Sequence, residues 1–296
     1  MDVVEFVKNS NELLVSPIWS GKQAFRFLCL GHLDVSEALG FELQKISPQL
    51  TIVKEGQMCT KEQLDKWINK HKVDATYLNH ELNILQTLKK ECCEGGTLCG
   101  GGCFGPLTVV SGIMGVENML KALRREPDFV REFVECVTEY MEDLAKREAE
   151  KGIDFFWIAE PLASLLSPEN FWEFSGRYIK RIYEASSESG FLHVCGKTLQ
   201  HTKYMVKTGA KVLSIDSCTD IGKCIRMVSE DVIIMGNVSP STLRFGTVGE
   251  VEKEIQDIFD SCHGFKNFVL STGCSIMGGT PDENMRVMFD MAKKYK

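Results

Sequence analysis

From residue 154 onward one pattern recurs: a short apolar run rich in β-branched and aromatic residues, a turn, then an amphipathic stretch of helical period. The runs are DFFWIAE (154–160), GFLHVC (190–195), KVLSID (211–216), DVIIMGN (231–237) and NFVLSTG (267–273). Between them lie SPENFWEFSGRYIKRIYEASSES, TLQHTKYMVKTG, DIGKCIRMVSE and VGEVEKEIQDIFDSCHGF, and TPDENMRVMFDMAKKYK follows the last run. Strands that are apolar throughout, alternating with helices, mark a parallel sheet with helices on its faces. Ser167 with Pro168 and Thr280 with Pro281 supply a capping hydroxyl and a first-turn proline at two helix starts.

Upstream, Leu78, Leu82, Leu85 and Leu88 form one stripe of a long helix in ATYLNHELNILQTLKKECCE, and PDFVREFVECVTEYMEDLAKREAEKG predicts a second. The glycine-rich GGTLCGGGCFGPLTVVSG between them reads as a loop entering a strand at Leu107–Val110. With LLVSPIW counted as a further strand, the total approaches the eight of a closed (β/α)8 barrel, although an open doubly wound sheet shares the same local pattern. The placement of chemistry favours the barrel, whose sites form at the C-terminal ends of the strands. Those ends carry Glu160, His193 with Cys195, Asp216, Gly236 with Asn237, and Cys274 just beyond VLSTG. The fold expected is α/β, a (β/α)8 TIM barrel in a single domain over 1–296, with 1–100 its less typical part.

Composition narrows the class. Hydrophobic content of 44% and charged content of 25% are those of a globular protein. A net charge of -7 gives no basic surface for a phosphate backbone, so nucleic acid is not an expected partner. MDVVEFVKNSNELL puts Asp2, Glu5 and Lys8 where a signal peptide needs its apolar core, and no run reaches membrane-spanning length. A cytoplasmic protein without a membrane partner is expected, its 12 cysteines free thiols, metal ligands or nucleophiles rather than a disulfide framework.

His193 and Cys195 share one face of a strand because side chains alternate. One imidazole, two thiolates and an open fourth position make a catalytic zinc site, if the strands ending at 195 and 273 face one pocket so that Cys274 supplies the second thiolate. The alternative is a core histidine with two small buried cysteines. Cys92, Cys93, Cys99 and Cys103 suggest a four-thiolate cluster less well, since adjacent cysteines converge poorly on one ion and C-x3-C is a weaker spacing than C-x2-C. Phe155, Phe156 and Trp157 read as core, and Asp216 equally as a solvated strand-end carboxylate or a functional one.

FLHVCGKT, VLSIDSCTDI, VIIMGNVSPSTLRFGTVGEVEKEI and FVLSTGCSIMGGTPDENMRVM, in that order, resemble the uroporphyrinogen decarboxylase superfamily, and within it the branch of zinc-dependent corrinoid methyltransferases. FGPLTVVSGIMGVENMLKAL and WIAEPLASLLSPENFWEFSGRYIKRI extend the resemblance over about 103–296, while 20–100 follows the family loosely. It implies a (β/α)8 barrel and zinc held by His193, Cys195 and Cys274. It also implies methyl transfer between a methyl-corrinoid (methylcobalamin), presented by a corrinoid carrier protein, and a thiol such as coenzyme M or a pterin. Asp216 would complete the coordination or orient His193, and Glu160, Gly236 and Asn237 would contact substrate or corrinoid. The decarboxylase branch grips tetrapyrrole carboxylates with paired arginines near its N-terminus, where SPIWSGKQAFRFLCL has only Lys22 and Arg26. Tetrapyrrole decarboxylation and a non-catalytic corrinoid- or zinc-binding accessory role are the rival readings.

Overall fold

Alternate residues of the predicted strands turn to opposite sides of one closed sheet, and both sides are buried. The computed structural model describes residues 2–10, 14–16, 24–48, 50–70 and 79–295. Its strands are β1 (Phe25–Phe27), β2 (Leu43–Ser47), β3 (Leu50–Val53), β4 (Leu98–Phe104), β5 (Phe155–Ala159), β6 (Ser189–Val194), β7 (Val212–Ile215), β8 (Ile233–Val238) and β9 (Phe268–Thr272). β2 and β3 make an antiparallel hairpin; the other seven form a parallel sheet in the order β1-β4-β5-β6-β7-β8-β9.

Leu14–Ser16 joins the two edges. Val15 bridges Leu270 of β9 in parallel, the Leu270 N–H donates to Leu14 C=O (3.1 Å) and the Ser16 N–H to Leu270 C=O (2.9 Å). On the other side the Ala24 N–H donates to Val15 C=O and the Leu98 N–H to Ala24 C=O, both at 3.1 Å. Leu14–Ser16 therefore occupies the eighth position of a closed ring, bonded to both neighbouring edges. The rest of LLVSPIW lies outside the described residues.

Phe25, Leu98, Phe155, Trp157, Phe191, Val212, Ile233, Met235 and Val269 fill the ring, and Val3 and Val7 of the helix Val3–Lys8 pack against that cluster. Phe156, Ile158, Leu192, Leu213, Ile234 and Leu270 face outward into the layer of helices. Burial on both sides is why these strands read as continuous apolar runs. Phe155 stacks on Phe191 with centroids 4.0 Å apart, and Trp157 on Phe27 at 4.5 Å.

Two expectations are corrected. The glycine-rich passage is not a loop but β4. A Cβ on Gly100 would fall 2.2 Å from the Phe155 ring, on Gly101 2.0 Å from Glu148 Oε2, and on Gly102, where φ is +146°, 2.0 Å from the Trp157 carbonyl oxygen. Neighbouring groups fill the volume that β4 side chains would take, so the strand has no side-chain pattern to read. Leu107–Val110 is not a strand but part of the helix Pro106–Met114, which is buried almost all round and so lacks a polar face to reveal its period.

The predicted stripe helix is Asn79–Gly95, with Leu82 and Leu85 buried; Leu78 lies outside the described residues. Phe155, Phe156 and Trp157 are core, and all twelve cysteines are unpaired. No helix among the described residues is long and apolar enough to cross a membrane.

Near the N-terminal ends of the strands, Asp154 Oδ2 accepts hydrogen bonds from Lys89 Nζ (2.7 Å) and the Cys99 N–H (2.9 Å), tying the Asn79–Gly95 helix to the barrel. Burial pushes this carboxyl up, but the bonds from Lys89 and the Cys99 amide outweigh it and hold the carboxyl below its ordinary value. A carboxyl depressed by folding stabilises above its unfolded pKa, about 4, and loses that contribution as pH falls through its lower folded value. Asp154→Asn is therefore expected to cost roughly 1–3 kcal/mol at neutral pH, the gap to wild type closing as pH drops below about 4. Urea midpoints across that range check this; a gap that does not change with pH counts against it.

Candidate metal centre

The C-terminal ends of three strands, β6, β7 and β9, converge at the rim. On β6, Phe191 is followed inward by His193 and, past the strand end, by Cys195; on β7, Val212 is followed by Ser214 and Asp216. Across the ring, β9 ends at Thr272, and Gly273 leads to Cys274. His193 Nε2 stands 3.2 Å from Cys195 Sγ, which is 3.9 Å from Cys274 Sγ. Their ligand atoms lie within 4.8 Å of one another, the single group of three or more metal-binding side chains among the described residues. The suggested cluster of Cys92, Cys93, Cys99 and Cys103 is absent there: Cys93 is exposed while the other three are buried.

The donor set fits a zinc ion. Tetrahedral geometry with bonds of about 2.3 Å to sulfur and 2.0 Å to nitrogen puts two sulfurs roughly 3.8 Å apart and nitrogen roughly 3.5 Å from sulfur. The observed 3.9 and 3.2 Å need only a small opening of the His193–Cys195 pair. His193 Nδ1 lies 3.0 Å from Ser214 Oγ. With Nε2 on a metal, Nδ1 would carry the proton and donate to that hydroxyl.

The two thiols are already polarised. The hydrogen bond from Cys195, then that from His193, pull the Cys274 thiol down to about 4 against the effect of burial. The same bond to Cys274, with burial, pushes the Cys195 thiol up.

The other predicted residues have different surroundings. Asp216 is outside the ligand group; its Oδ2 accepts from the Gly196 N–H (2.8 Å) and Oδ1 from the Cys218 N–H (3.1 Å), so the partner of His193 is Ser214 rather than Asp216. The Asn237 amide donates to the carbonyls of Asp216 (3.0 Å) and Thr219 (2.8 Å) and is thereby occupied with the backbone. Gly236 packs against β7, where a Cβ would approach the Ile215 carbonyl oxygen to 2.8 Å.

Glu160 does not face the mouth. It is 0% exposed and accepts from the N–H groups of Leu107 (3.1 Å) and Thr108 (2.8 Å), the Thr108 hydroxyl and Ser175 Oγ (2.7 Å). Burial raises its carboxyl, those hydrogen bonds opposing, and its place is at the start of the Pro106–Met114 helix, whose free N–H groups it satisfies. Ser214 and Thr219 were missed by sequence reading. Ser214 was findable, since it precedes Asp216 by two on the inward face; Thr219 sits in a turn with no period.

Comparison with known proteins agrees with this architecture. Among curated relatives, a methylcobamide:CoM methyltransferase of Methanosarcina mazei is 30% identical over 202 residues, 66% of this chain and 58% of its own length. A uroporphyrinogen decarboxylase of Prochlorococcus marinus is 26% identical over 222 residues, 71% of this chain and 63% of its own. The chain thus spans 58–63% of the length of these two relatives. A solved methyltransferase from Methanosarcina mazei superposes with a TM-score of 0.82 at 20% identity, over 99% of this chain and 97% of that one, which shows a shared fold. The model of the family described as uroporphyrinogen decarboxylase (URO-D) matches residues 23–295, a span that takes in the ring from β1 to β9 and the rim that carries His193, Cys195 and Cys274, and the chain belongs to that family.

Proposed function

We propose that this chain is a zinc-dependent methyltransferase that moves a methyl group from a protein-bound methylcobamide to a thiol such as coenzyme M. The observation that carries the reading is the convergence of His193, Cys195 and Cys274 at the barrel mouth, a three-ligand set that leaves a fourth position for an incoming sulfur. The naming of a relative as a methylcobamide:CoM methyltransferase supports it. Decarboxylation of a tetrapyrrole needs cations for its carboxylates. Arg26 instead pairs with Glu91 of the Asn79–Gly95 helix at 3.0 Å, and the ring interior beside it is aromatic; Lys22 lies outside the described residues.

A zinc ion held by this set supplies the positive charge that keeps an incoming thiol deprotonated near neutral pH. His193 would ligate through Nε2 while its Nδ1–H donates to Ser214 Oγ, which fixes the ring. Cys195 and Cys274 would ligate as thiolates, which would make metal loading pH-dependent. Asp216, through the Gly196 N–H, steadies the turn behind Cys195. In the transfer the acceptor sulfur bonds the methyl carbon, the cobalt–carbon bond breaks with its electron pair left on the corrinoid, and the thiol proton passes to solvent. The corrinoid carrier protein docks over the C-terminal rim, where the ligands lie.

Purified protein is expected to hold about one zinc per chain. A Cys195→Ala, Cys274→Ala double variant that keeps its zinc would remove these residues from the ligand set.

Anaerobic incubation with methylcobalamin and a panel of thiols and pterins, followed by the corrinoid spectrum, tests the reaction. Demethylation with a thiol is expected, persisting well below the thiol's own pKa of about 8.5, and no uroporphyrinogen should be decarboxylated. Cys274→Ala should abolish it, and Ser214→Ala should lower it roughly 10- to 100-fold. Wild-type rates in Cys274→Ala, or demethylation with a pterin in place of every thiol, would refute the thiol-activation mechanism.

A further inference from the structure

The two thiols come from β6 and β9, which are separated in the sheet by β7 and β8. No backbone ladder runs directly between their strands, so some other contact must set the distance between Cys195 and Cys274. We propose that the turn Asp216–Thr219 after β7 is that spacer, with Thr219 as its principal positioning residue; the inference rests on the metal-centre reading above.

The turn grips the chain beside each cysteine. Gly196, immediately after Cys195, has φ +86° and is held at both polar groups: its N–H donates to Asp216 Oδ2 (2.8 Å) and its C=O accepts from Thr219 Oγ1 (2.9 Å). Thr219 Oγ1 also accepts from the Thr198 N–H at 2.9 Å, so one hydroxyl closes both ends of the segment that follows Cys195. On the far side Gly273, immediately before Cys274, leans on the same turn so closely that a Cβ there would fall 2.3 Å from the Ser217 backbone nitrogen.

The turn is itself rigid. The Thr219 N–H donates to the Asp216 carbonyl (3.0 Å), and the Asn237 side chain ties both of those residues' carbonyls to β8. Thr219 and Asn237 are each 5% exposed. None of these side chains belongs to the ligand group, and the uncharged Thr219 and Asn237 would act on a metal only through the placement of the thiols.

The test uses the full chain and reads metal binding rather than turnover. Thr219→Val keeps the shape and removes the hydroxyl; Thr219→Ser keeps the hydroxyl. Zinc affinity by chelator competition and the visible spectrum of the cobalt(II)-loaded protein are measured for each. Thr219→Val is expected to bind zinc roughly 10- to 100-fold more weakly with a perturbed cobalt spectrum, and Thr219→Ser to restore both. Wild-type affinity and spectrum in Thr219→Val overturn the proposal. Should Thr219→Val fail to fold, Thr219→Ala decides in its place: weakened zinc binding supports the spacer, and unchanged binding overturns it. A wild-type chain that binds neither zinc nor cobalt overturns the metal-centre reading itself, and this inference with it.

Discussion

A thiol from β6 and a thiol from β9 stand 3.9 Å apart although two strands separate theirs in the sheet. In a flat sheet, strands three positions apart lie roughly 14 Å from one another, at about 4.8 Å per step. Curling the sheet into a ring brings their ends together across the mouth, so closure is the condition on which the site depends. Closure in turn rests on a short stretch: Leu14–Ser16 bonds to β9 on one side and Ala24 on the other. The interior must also hold a fixed diameter. Aromatic rings from β1, β5 and β6 do this, and the glycines of β4 make room for the ring of Phe155 and the backbone of Trp157.

That arrangement explains which features the sequence revealed. β5 to β9 were legible because each is buried on both faces and bounded by turns, and His193, Cys195 and Cys274 stood out because polar groups at the ends of apolar runs are conspicuous. β4 was hidden by the same packing that makes it work, since its side-chain volume is contributed by its neighbours. The helix Pro106–Met114 was hidden for the opposite reason, being apolar on nearly every side. Seven of the eight ring positions are regular strands; at the eighth the described residues are Leu14–Ser16, within the run LLVSPIW that the sequence offered as a strand.

Strand parity separates the polar strand ends that serve the mouth from those that serve the wall. Phe155, Trp157 and Ala159 face inward, so Glu160 points out onto a helix start, where it replaces water for two backbone N–H groups. His193 follows Phe191 by two and stays inside. Asp216 and Asn237 also follow inward residues, yet their polar atoms are taken up by loop backbone, which makes them part of the frame around the ligands. Parity was available from the sequence for Glu160; the loop bonding of Asp216, Thr219 and Asn237 was not, because it depends on how three separate turns meet.

The frame matters because the ligands oppose one another in the absence of a cation. Two thiolates about 4 Å apart repel by roughly 4 kcal/mol at the effective dielectric typical of a protein rim. The hydrogen-bond contact between the two sulfurs, at 3.9 Å, holds them near the spacing that a tetrahedral ion would require. A looser rim would let the sulfurs separate and each find water, and the donor set would have to be reassembled for every ion bound. The bonds from the Asp216–Thr219 turn work against that separation from the backbone side. Contact and frame act on the same distance, the first through the side chains and the second through the residues next to them.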